Sequence, residues 1–88
     1  MLESKIQKKI INELEKDGWY VLNLIKTNKN GIMDLIAVKK NKTMFVEVKK
    51  PNGVLSELQK FRIKELKKRG IDCRVWTDYK KDFIYGKD

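Results

Sequence analysis

Between residues 19 and 48 the apolar residues fall in three short runs, WYVLNLI, IMDLIAV and TMFVEV. Each has the length of a strand and is too short for a helix of its own. Between them lie KTNKNG, a polar loop ending on the turn pair Asn30-Gly31, and KKNK, a hairpin connection. Three consecutive strands joined by such short connections form an antiparallel meander. The third run stops at KKPNG, because Pro51 has no amide to give to a ladder.

Helical period brackets this meander. In LESKIQKKIINELEKDG, Leu2, Ile6, Ile10 and Leu14 recur every four residues with Ile11 beside them, and Gly18 supplies a stop. A second helix opens at Ser56, whose Ser-x-x-Gln spacing to Gln59 is a capping box, and closes at Gly70 after KKR. Leu55, Leu58, Ile63 and Leu66 mark its buried side. IDCRVWT then alternates as a fourth strand, with Ile71, Cys73, Val75 and Thr77 against Asp72, Arg74 and Trp76. The tail adds a short strand around residues 83–85 or docks elsewhere. The order αβββαβ predicts an α/β fold: a mixed sheet flanked by helices, with a right-handed crossover bringing in the last strand parallel to one of the first three. With 88 residues the chain forms one domain, residues 1–88, and buries one modest core.

The charges raise the functional question. Alternate side chains of a strand share a face, so in TMFVEVK residues Phe45, Glu47 and Lys49 lie on one side and Met44, Val46 and Val48 on the other. Asp34, with Ile36 and Val38 on its face, lies across from Glu47 and Lys49 if the second and third strands pair. An unpaired buried carboxylate is costly, and two together repel. A shared divalent cation relieves both problems; the competing reading is a plain ion pair of Lys49 with Glu47 or Asp34 at a strand end. On the first helix, Glu3 falls near the middle of the apolar stripe and Gln7 at its edge, with Glu13 and Asp17 close on the other side. Glu3 either serves a site or only complements the helix dipole. On the second helix Gln59 and Arg62 share the buried side, while Lys60, Lys64, Lys67 and Lys68 gather opposite. Gln59 is a site residue or only the partner of Ser56, and the lysine face is a solvated surface or a secondary contact for phosphates.

Composition narrows the chemistry. There is no histidine and one cysteine, Cys73, so the commonest general base, zinc and an internal disulfide are all disfavoured. Catalysis must then use carboxylates and lysines, and carboxylates favour a hard cation. The net charge of +9 suits a polyanionic partner. No apolar run approaches the roughly 18 residues of a membrane span, and a signal-peptide pattern is missing; a cytoplasmic protein is expected.

Together, GIMD, twelve intervening residues, EVK and a helix opening on Gln59 resemble the PD-(D/E)XK nuclease superfamily, and within it the VRR-NUC branch of virus-type replication-repair nucleases. The likeness spans residues 1 to about 77, and archaeal Holliday junction resolvases look like a more distant match. The family pattern maps onto Glu3 and Gln7, Gly31 with Asp34, Glu47 and Lys49, Pro51-Asn52-Gly53, and Gln59; Met33 stands where the family usually has proline. The resemblance implies a restriction-endonuclease-like core and a metal-dependent DNA endonuclease. It implies that Asp34, Glu47 and the Val48 backbone carbonyl hold Mg²⁺, with Mn²⁺ as substitute, and that Glu3 ligates through water or holds a second ion. Lys49 would orient or deprotonate the attacking water, and Gln59 would position Lys49 or the scissile strand. It further implies branched DNA, such as a four-way Holliday junction or flap, and a homodimer, for which Tyr79, Phe83 and Tyr85 are interface candidates unless they pack on their own core. A restriction-type duplex endonuclease and a non-catalytic basic DNA-binding module are the rivals. Lysine richness and small size point to a phage or mobile-element source acting in a host cytoplasm.

Overall fold

The meander forms, with a tight second connection and a first one that spans residues 24–34. In the computed structural model, which describes residues 2–84, β1 (Tyr20–Asn23), β2 (Leu35–Lys39) and β3 (Lys42–Val48) pair antiparallel in sequence order. After α2 (Glu57–Lys68), β4 (Asp72–Asp78) joins β3 in parallel, and a two-residue β5 (Lys81–Asp82) closes the far edge. With α1 (Glu3–Lys16) leading, the sheet order is β1-β2-β3-β4-β5. This is the expected mixed α/β sheet with one added edge strand. That strand lies earlier than the expected 83–85: Phe83 follows it, buried, with its amide donating to the Val75 carbonyl at 2.8 Å. Tyr85 lies outside the described residues. Among those residues, no helix is long and apolar enough to cross a membrane.

The sheet separates two apolar layers by strand alternation. Ile6, Ile10 and Leu14 of α1 pack on Leu35, Ala37, Met44, Val46, Val48 and Trp76. On the opposite face Ile63 of α2 joins Met33, Leu55, Cys73, Val75 and Phe83, with Phe45 and Leu66 at the margin. The two faces of TMFVEVK are therefore those read from its period. Two of the tail aromatics, Tyr79 and Phe83, serve this packing. Tyr79 stands edge-on to Trp76 with ring centroids 5.8 Å apart, and its hydroxyl donates to Asp17 Oδ2 at 2.8 Å. Phe83 fills the α2-side core.

Several expectations shift, each for a local reason. Leu2 leaves the apolar stripe and is 65 % exposed, because it is the extended cap residue of α1, its carbonyl accepting from the amides of Lys5 and Ile6. Strand one is shorter than its apolar run: Leu24 and Ile25 belong to the following loop, and Ile25 is 90 % exposed. Strand two begins at Leu35, so Asp34 precedes it instead of lying within it. Leu58 is 42 % exposed, because it turns toward the loop at Gly31. The second helix does carry its capping box, and it closes as expected, with Ile71 N donating to Leu66 O and Gly70 N to Lys67 O.

Gly31 fixes how the loop enters the site. Its φ is +78°, and a Cβ there would stand 2.6 Å from Leu58 Cγ. Gly31→Ala should therefore cost about 1–3 kcal/mol from the left-handed backbone alone, plus the contact with Leu58. In urea denaturation, Gly31→Ala combined with Leu58→Ala should lose less than the sum of the two single changes. Full additivity would show that Leu58 does not crowd this position.

Candidate active site

The site is built where four chain segments meet at the C-terminal end of β3. Asp34 is held by its neighbours: Met33 and Leu35 on either side are fully buried. Pairing of Leu35 with Val46 sets Asp34 opposite Glu47. Its Oδ2 accepts a hydrogen bond from the Val48 amide at 2.9 Å, so the loop before β2 is tied to the end of β3 by the carboxylate itself. The Asp34 carbonyl also accepts from the Leu24 amide at 2.7 Å, which closes the long loop behind it.

Glu47 is the only charged residue buried among the described residues, at 3 % exposure. Its Oε2 accepts from the Gln59 side-chain amide at 3.0 Å and lies 3.8 Å from Lys49 Nζ. Lys49 is aimed there because its backbone amide continues the sheet, donating to the Trp76 carbonyl at 3.0 Å. Gln59 does both things that its sequence allowed. Its Oε1 accepts from the Ser56 amide at 2.9 Å, completing the capping box, and its Nε2 reaches Glu47. The other Glu47 oxygen, Oε1, is buried with no hydrogen-bond partner.

Glu3 comes to the same centre from α1. Its Oε2 accepts from the Lys50 amide at 3.3 Å, and its charge bears on both Asp34 and Glu47. Gln7 faces elsewhere: its amide donates to Asn23 Oδ1 at 3.0 Å, at the end of β1. Sequence reading does not single out Lys50, and no local pattern marks a backbone amide that meets a carboxylate 47 positions away. Glu13 and Asp17 likewise serve other roles, pairing with Lys16 and with Lys39 and Lys80.

The electrostatics follow from this crowding. Burial pushes the Glu47 carboxyl up to about 8, and the Asp34 charge adds to the rise while Lys49 opposes it. Burial also raises Asp34, against the stabilising Val48 amide. Among the described residues no group of three or more His, Cys, Asp or Glu side chains forms a cage for a metal. What the centre offers is two carboxylates held close, one with an unsatisfied buried oxygen. That donor set fits a hard dication that keeps most of its own waters.

The model of the VRR-NUC domain matches residues 2–77. The chain belongs to the VRR-NUC family. It is thus a nuclease domain of the PD-(D/E)XK superfamily, a hydrolase family that generally uses divalent metal ions. A solved structure described as a VRR_NUC domain is similar to this VRR-NUC domain with a TM-score of 0.78 at 28 % identity, covering 89 % of this chain and 86 % of that one. No functionally curated protein matches.

The raised Glu47 pKa predicts how the metal-free domain responds to pH. Below about 4.5 both folded and unfolded chains hold this proton, so the group contributes nothing to the pH dependence. From there to about 8 the folded state keeps a proton that the unfolded chain has released, so stability falls as pH rises, and levels off above. In EDTA, a thermal melt should thus give a lower Tm at pH 8 than at pH 5, and Glu47→Gln should flatten the difference. An identical pH dependence in both proteins would remove Glu47 as its source.

Proposed function

We propose that this VRR-NUC domain is a metal-dependent DNA endonuclease that uses Mg²⁺, or Mn²⁺ in its place, to hydrolyse phosphodiester bonds in branched DNA. The observation that carries the reading is Glu47 Oε1, a buried oxygen without a partner beside a second carboxylate. A structural ion pair has no use for such an atom, since an unsatisfied buried acceptor costs about 1–3 kcal/mol. A non-catalytic binding module would gain by replacing it.

The chain's own groups divide the work. Asp34 and Glu47 hold the cation, with the Val48 carbonyl as a third donor. A strand residue's N–H and C=O leave on the same side, and the Val48 amide already points at Asp34. Glu3 adds a water-mediated contact or holds a second ion. A divalent cation held there would supply Lewis acidity toward a phosphoryl oxygen and would lower the pKa of a water. Lys49 orients or deprotonates that water and meets the charge growing on the phosphate. Gln59 fixes the Glu47 carboxylate and so the ligand geometry. Gln7 acts at one remove, by anchoring α1 to the end of β1 through Asn23. A 10.4 kDa chain offers little surface for base reading, which favours recognition of DNA shape at a four-way junction or flap over a restriction-type duplex site. Cutting a symmetric junction on both sides calls for two copies, hence a homodimer. A reducing cytoplasm, that of a host if the source is a phage or mobile element, suits the buried free thiol of Cys73.

The test is cleavage of labelled linear duplex, flap and four-way DNA with and without Mg²⁺. Asp34→Asn and Glu47→Gln should abolish cutting and leave DNA binding intact or tighter. Lys49→Ala should lose about 10²–10⁴-fold in turnover while calorimetry still shows metal binding. Gln59→Ala should cost about 10–100-fold, as for a group that orients a ligand. Cleavage that persists in EDTA would sink the metal assignment, and equal rates on all three DNAs would remove the preference for branches.

A further inference from the structure

One groove gathers lysines from three separate parts of the chain beside the centre just described. Lys5 and Lys9 stand one turn apart on α1, Lys50 follows β3, and Lys81 lies in β5. The groove has a volume of about 850 Å³, with Ile6, Pro51 and Thr77 among its walls. Asp78 is the single acid lining it, and Lys9 already engages it at 3.1 Å. Lys5, Lys50 and Lys81 form no ion pair among the described residues. At Lys50 the groove comes within one hydrogen bond of the acidic centre, because the Lys50 amide donates to Glu3 Oε2 at 3.3 Å.

Two other basic regions of the molecule lack this combination. The hollow lined by Lys39, Lys42, Arg74 and Lys80 also holds three aspartates. There Arg74 grips Asp72 at 2.7 Å, and Lys39 pairs with Asp17 at 3.6 Å. On α2, Lys60 is paired with Glu57 at 3.0 Å, and Lys64, Lys67 and Lys68 stand exposed along the helix.

We infer that the groove between α1 and the β4–β5 edge holds the sugar–phosphate backbone of the strand running on from the cleaved bond. This rests on the nuclease reading above and adds where the substrate lies. The ammonium groups come from both sides of a concave track, so successive phosphates meet charge without any base being read. Each phosphate contact releases condensed counterions, which makes the contribution of the groove measurable as salt dependence.

The experiment uses Glu47→Gln protein, so that DNA is bound and not cut, and follows anisotropy of a labelled four-way junction in EDTA from about 50 to 200 mM salt. Lys5→Gln with Lys81→Gln should flatten the slope of log K against log salt by about 2, roughly one per lysine. The exposed pair Lys64→Gln with Lys68→Gln should leave it unchanged, and circular dichroism melts should show all variants folded. An unchanged slope in the groove variant overturns the inference, as it would if the groove received an acidic protein segment. So does an equal flattening in the α2 variant. Failure of the Glu47→Gln parent to bind any DNA would bring down the nuclease reading itself, a distinct result from loss of the groove's share.

Discussion

Everything near the centre depends on keeping the Glu47 carboxylate out of water. A carboxylate in such a place is costly unless other groups meet it, and the fold supplies them from separate directions. Gln59 comes down from α2 and Lys49 from the next inward-facing position, while Asp34, from the loop before β2, adds a like charge. Only one Glu47 oxygen is served by this set. The parallel β3–β4 pairing and the α2 crossover that it requires are what cover this face, since Ile63, Cys73 and Val75 close the apolar layer beside it. The architecture and the unsatisfied oxygen are therefore two aspects of one arrangement. An open antiparallel sheet without the crossover would leave Glu47 in solvent, with an ordinary acidity and no reason to take a cation.

Gln59 shows how closely site and scaffold are joined. One end of its amide completes the N-terminal cap of α2 and the other end reaches the buried carboxylate. A cap contributes about 1 kcal/mol to a helix, and here the same side chain also holds the Glu47 carboxylate in place. The start of α2 cannot slide by one residue without both contacts breaking. The loop from Lys49 to Leu55 is constrained at its two ends as well, by the Lys49 amide on Trp76 and by Leu55 in the core. Precision at the centre thus comes from elements fixed for reasons of folding.

This coupling explains how much could be read from sequence. The meander, both helices, the parallel return of β4 and the faces of TMFVEVK are legible because period and punctuation are local properties. Asp34, Glu47, Lys49 and Gln59 are legible as a set because each breaks the local pattern: charges on an apolar strand, a polar residue on a buried helix side. Leu2 and Leu58 are misread because a helical stripe does not say where its cap lies or that a glycine loop will draw a leucine away from the sheet. Gln7 falls at the stripe's edge for a partner on β1, which no helical wheel contains. The Glu3–Lys50 and Asp34–Val48 contacts use backbone amides, and every residue but proline carries one, so sequence has no means to mark them.

The charge distribution closes the argument. Three carboxylates at the centre repel a DNA strand, and a net charge of +9 spread evenly would do little to offset that locally, because exposed charges are screened beyond about 10 Å at ordinary ionic strength. Attraction has to be supplied within that distance of the acids and on a surface that a backbone can follow. Cations already tied to aspartates, as Lys39 and Arg74 are, spend their field internally. The groove beside α1 holds three lysines without an ion pair among the described residues and adjoins Glu3 through the Lys50 amide. An acidic centre is brought against a polyanion most effectively by cations that stand beside it, and Lys50, next to Glu3, is one so placed.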